Sequence, residues 1–127
     1  MRPATLADLD ACDAVCRRVH GYDRSGELRD AIAQGSATVV EHAGRLCGYD
    51  TSISAAGHAV GETTAAVQAL IGAAPALERG GFLVPLRNEE LSRWCLTPGL
   101  RVAVPQTLMS RGFYQEPVGA FLPSVLY

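Results

Sequence analysis

Apolar residues recur at Leu6, Leu9, Cys12, Cys16 and Val19, one stripe of a helix with charges on the opposite side. Thr5 and Asp8 are spaced to cap its start, each side chain meeting the other's exposed backbone N–H. The run "HGYDRSG" breaks this helix, and a second, over 26–34, carries Leu28, Ala31 and Ile32 inward and stops at Gly35. The period then changes. Thr38, Val39 and Val40 form a β-branched run, Ala43-Gly44 makes a turn, and Leu46, Cys47 and Tyr49 begin a return strand: a β-hairpin.

The small-residue stretch "AAGHAVGET" leads into a third helix over 63–73, whose apolar face is Val67, Leu70, Ile71 and Ala74, with Pro75 beyond it. "GGFLVPL" shows no alternation, as expected of a short strand buried on both faces. A fourth helix follows. Asn88 is its cap, Glu89 and Glu90 suit the positive end of its dipole, Leu91, Trp94 and Cys95 turn inward, and Pro98-Gly99 ends it. "LRVAV" and "QTLMSRGFY" are predicted as two further strands around Pro105, and the apolar tail "EPVGAFLPSVLY" as packed against the body. The order predicts a single α/β domain over 1–127, with helices flanking a mixed central sheet.

Composition narrows the class. At 127 residues, 48% hydrophobic and 19% charged, the chain can bury a core without staples. Its net charge is −2, and all 11 basic residues are Arg, which gives no electrostatic reason to expect nucleic acid or an anionic membrane as partner. No apolar run reaches the ~18 residues of a membrane span, and "MRPATLADLD" lacks the charged and apolar regions of a secretory signal. Cys12, Cys16, Cys47 and Cys95 form no C-x-x-C pair, which argues against a zinc ribbon and for buried free thiols in a cytoplasmic protein.

Three stretches carry a family resemblance. "RPATLADLDA" resembles the opening strand and first helix of GNAT-type N-acetyltransferases, and "ATVVEHAGRLCGY" their second and third strands. Asn88-x-x-Leu91-x-x-Trp94-Cys95-x-x-x-Gly99-Leu100 is similar to the family's closing pattern N-x-x-A-x-x-L-Y-x-x-x-G-F. The chain is more narrowly similar to the divergent C-terminal half of tandem-GNAT proteins. The resemblance implies a GNAT-like fold, acetyl-CoA as cofactor and a small amine as substrate. It also implies a homodimer or pairing with a second GNAT domain.

In that family a Q/R-x-x-G-x-G/A loop opening the third helix holds the cofactor's pyrophosphate. Glycine permits close backbone approach there, and the helix N-terminus is positive. The corresponding stretch is His58-Ala59-Val60-Gly61-Glu62-Thr63, of which Gly61 alone keeps the signature. The resemblance implies cofactor contacts at His58, Val60, Gly61, Thr63 and Asn88, a fourth strand that is short or absent, and two strands splayed beside Gly61 to leave a groove toward Asn88. Glu62 is a carboxylate where an anion would bind. Cys95 stands where the family's usual proton donor, a Tyr, would be, and with Glu62 it is the candidate for catalysis.

Asp50 and Glu62 are the carboxylates best placed for a general base, with exposed positions the plainer expectation for both. His20 and His42 are expected at the surface, and His58 as a polar loop residue. Trp94 reads as a core aromatic, and Arg45, Arg87, Arg93, Arg101 and Arg111 as scattered surface charges. Two functions are compatible with this pattern: an acyl-CoA-dependent N-acyltransferase with a degenerate cofactor loop, or a non-catalytic module of the same fold that binds a ligand or pairs with a catalytic half.

Overall fold

The computed structural model describes residues 1–77 and 80–126. Strand β1 (Arg2–Pro3) and a 3-10 turn (Leu6–Asp8) lead into helix α1 (Leu9–His20), followed by α2 (Ser25–Gln34). The hairpin β2 (Thr38–His42) and β3 (Arg45–Asp50) comes next, then β4 (Ala59–Gly61), α3 (Thr64–Ala73), α4 (Glu89–Leu96) and β5 (Ala120–Leu122). The predicted capping box is present, with the Thr5 N–H and hydroxyl both donating to Asp8 at 2.8 and 2.9 Å. α1 and α2 each end on a glycine in the left-handed region, Gly21 and Gly35.

The strands lie in the order β1-β2-β3-β4-β5, and every pairing among the described residues is antiparallel, where a mixed sheet was expected. A bulge at Val40/Glu41 interrupts the hairpin register. The architecture is therefore α/β, with two cores back to back. On one face α1 buries Cys12, Val15, Cys16 and Val19 against Val39, Tyr49 and Val60, with Leu28 of α2. On the other, α3 buries Val67, Leu70 and Ile71 against Val40, Ala59 and Leu122, and α4 adds Leu91 and Cys95. All four cysteines are buried and free, as expected. Leu6, assigned to the inner stripe of α1, is exposed because the 3-10 turn places it outside the helix.

Three predicted strands are absent. "GGFLVPL", "LRVAV" and "QTLMSRGFY" carry no regular structure, and residues 101–116 are exposed throughout. Strand propensity is realised only beside a partner, and the place next to β4 is taken by β5, which comes from the tail. The tail therefore does more than pack: it completes the sheet, while its last residue, Tyr127, lies outside the described residues. β4, three residues long, lies within the stretch 58–63 expected as the cofactor loop, so that stretch is largely strand rather than loop.

Candidate functional site

Two pockets flank the β4–β5 end of the sheet, and Pro117 and Phe121 line both. The first, of about 470 Å³, lies where α3 and α4 begin. Thr63 caps α3 by accepting from the Ala66 N–H at 3.2 Å. Asn88 caps α4 by accepting from the Leu91 N–H at 3.1 Å, and its amide donates to Thr64 Oγ1 at 3.2 Å. One asparagine thus ties together two helix starts, the positive ends of their dipoles, at the edge of the groove. Thr63 and Asn88 are the two expected cofactor contacts that come together here.

Of the remaining candidates, only Glu62 lines this groove. Gly61 faces α3, where an added Cβ would come within 2.9 Å of the Ala66 Cβ and 3.1 Å of a Val67 methyl. Its lack of a side chain serves helix–sheet packing. Val60 faces α1 in the opposite core. Glu62 lines the groove but accepts from Arg18 at 2.7 Å and from Arg45 at 2.9 Å. The Arg45 guanidinium, with Arg18, holds its carboxyl below the usual carboxylate range, so it stays ionised and engaged rather than poised to take a proton. Cys95 is buried in the core with Leu70, Ile71 and Leu91, lines neither pocket, and has its thiol pushed up by burial. Arg87 pairs with Glu116 across the groove mouth. The strands beside Gly61 do not splay: Gly61 pairs with Ala120, Val60 with Phe121 and Ala59 with Leu122.

The second pocket, of about 370 Å³, contains what the sequence did not disclose. His20, at the end of α1, and His58, just before β4, meet Nε2 to Nε2 at 3.0 Å. Both are buried, where the surface was expected; only His42 is exposed as predicted. His58 is 1% accessible because β4 alternates, and 58 shares the inward face with Val60. Its backbone is fixed from both sides, its N–H donating to Thr51 Oγ1 and its carbonyl accepting from the Thr51 N–H, both at 2.9 Å. Burial lowers both imidazoles, with Arg24 adding to the effect, and takes His20 to about 4, so both are neutral at pH 7. The sequence signal was parity along 58–60, readable only once 59–61 is recognised as a strand.

Asp50 is also buried, at 3% accessibility, at the end of β3, and desolvation raises its carboxyl to about 7. It lines neither pocket. Among the described residues no group of three or more potential metal ligands occurs, and no helix is long and apolar enough to cross a membrane.

No family model, curated protein or solved structure matches the chain. Its function is therefore argued from these two pockets.

Proposed function

We propose that the chain is a non-catalytic, GNAT-like cytoplasmic domain, a binding or interaction module that pairs with a catalytic half. The observation that carries this reading is the closed β4–β5 seam. In the family it resembles, an acyl-CoA arm threads between separated strands beside the third helix; here Gly61 and Ala120 are hydrogen-bonded neighbours. The state of the candidate acid and base supports the same reading, since Cys95 is enclosed in the core and Glu62 is held by two arginines. The exposed apolar segment with Val102, Val104, Leu108 and Met109 offers surface for a partner domain.

A second reading, an acetyl-CoA-dependent N-acyltransferase acting on a small amine, is favoured by one observation: Thr63, Thr64 and Asn88 share a groove where two helices begin. A thermal-shift titration decides between them, because a ligand that binds the folded state raises Tm with concentration. The module reading expects a flat response to millimolar acetyl-CoA and no acetyl transfer to amines. A concentration-dependent rise that Thr63→Asp abolishes would overturn it. Aspartate also caps helices, so that variant adds charge to the groove without removing the cap.

A further inference from the structure

The second pocket is built as a site. Its floor is the imidazole pair, and its walls are rings: Tyr22 stacks on His20 with centroids 5.5 Å apart, and Phe121 meets His20 edge-on at 5.2 Å. The outer wall comes from the irregular segment before β5, which is bonded to the body at one point and packed closely on it at another. The Val118 N–H donates to the Val19 carbonyl at 2.8 Å, and the Gln115 amide lies so close over Gly21 that a Cβ there would come within 2.8 Å of Oε1. Phe113, at the rim, is 91% exposed.

One polar atom in this site is left over. Whichever imidazole donates across the 3.0 Å contact, His58 Nδ1 is buried with no partner, either as a lone acceptor or as an unbonded N–H. A buried hydrogen-bonding group without a partner is unfavourable, and a ligand that meets it gains accordingly. The charges bordering the site disfavour a cation. Arg24 lines the pocket, with its Nε donating to Glu27 at 2.6 Å. Asp13, which accepts from Ser25 at 2.6 Å, and Glu27 do not line it.

We propose that this pocket binds a small uncharged aromatic molecule carrying one hydroxyl or ring N–H, its ring packed among Tyr22, Phe113 and Phe121 and its polar group completing the hydrogen bonding of the His20–His58 pair. Interchange of the two imidazole tautomers lets the pair accept or donate, so the pocket selects for ring shape and absence of positive charge. This preference is the opposite of a protonated amine acceptor's, and it stands whether or not the first groove takes acyl-CoA.

The test is imidazole ¹⁵N NMR of the full chain, with exposed His42 as internal control. Titration with 4-methylphenol to millimolar concentration should shift His20 and His58 saturably and leave His42 unmoved. Benzylammonium should bind about tenfold more weakly. Phe113→Ala, at a rim position that the fold does not need, should weaken 4-methylphenol about fivefold with Tm unchanged. The proposal is overturned if the two buried imidazoles do not respond, if His42 shifts in parallel, or if benzylammonium binds equally well. It also fails if Phe113→Ala has no effect, or if Zn²⁺ moves both Nε2 resonances while the aromatic probe does not.

Discussion

The two faces of the sheet each bury ionisable side chains among their apolar residues and free cysteines, and they differ in what those groups have left to offer. On the α1 side His20 and His58 pair with each other beside an aromatic pocket, while the buried acid of that helix, Asp13, accepts from Ser25. On the other face Asp50 is a single acid, and the nearby groove is lined by charges already engaged, Glu62 with Arg18 and Arg45, and Arg87 with Glu116. A surface charge in a good ion pair contributes little to stability and is not free to act. A neutral buried imidazole pair with one unmet atom still has hydrogen bonding to offer a ligand. The comparison directs the search for a ligand to the α1 face.

The most damaging change should be at the seam the faces share. Gly119 has φ of 106°, and a Cβ there would sit 2.9 Å from the Gly61 carbonyl oxygen and 3.3 Å from that of Glu62. Gly119→Val combines left-handed strain with a backbone clash and should cost about 2–5 kcal/mol, read as a lower urea midpoint. An unchanged midpoint would mean that β5 does not pair with β4 as described.

The faces separate next by pH. Folded Asp50 keeps its proton to about pH 7, whereas the unfolded chain releases it near 3.8. Its favourable contribution is therefore complete below about pH 4 and lost as pH rises through 7. Asp50→Asn should stabilise the protein at pH 8 by about 2–4 kcal/mol and have little effect at pH 4. The imidazoles act in reverse. Their contribution is complete above the ordinary value of 6.5 and lost as pH falls toward 4, so between about pH 4 and 7 the two trends oppose each other and flatten the wild-type Tm profile. In Asp50→Asn the opposing trend is gone, so Tm should fall more steeply from pH 7 to pH 4 than in the wild type. Tm against pH for both proteins checks this, and identical profiles would remove the contrast.

Smaller effects should follow in the first groove. Asn88→Ala loses the α4 cap and the tie to Thr64 and should cost about 1 kcal/mol by urea unfolding, with Asn88→Asp restoring most of the cap. Glu62→Gln should shift Tm by less than about 2 °C, because its partners are mostly solvated.

Much of this fold was legible because it is local. The stripe on α1, the caps at Thr5 and Asn88, and the Ala43-Gly44 hairpin turn each announce themselves within a few residues. The errors concern strands, whose existence depends on a neighbour elsewhere in the chain. "LRVAV" has a strand's composition and no partner, whereas Ala120–Leu122 is too short to announce itself and occupies the position beside β4. The site divides in the same way. Asn88 was legible as a helix cap, but His20 and His58 meet only through folding, and neither carries a local signal of burial.

The manner of attachment of β5 bears on how the molecule opens. Beyond its three paired residues, the neighbouring chain is held by Val118 N–H to the Val19 carbonyl, Ser124 Oγ to the Ala56 carbonyl and Val125 N–H to the Ala55 carbonyl. An element joined through an irregular, exposed stretch and few hydrogen bonds is the kind that detaches as a sub-global unit, at a free energy below that of complete unfolding. Native-state amide exchange should then find the amides of β5 protected less than those of β2 and β3. Each such excursion would bare the edge of β4 and unroof both pockets together, so one local equilibrium would set the rate of ligand entry to either side.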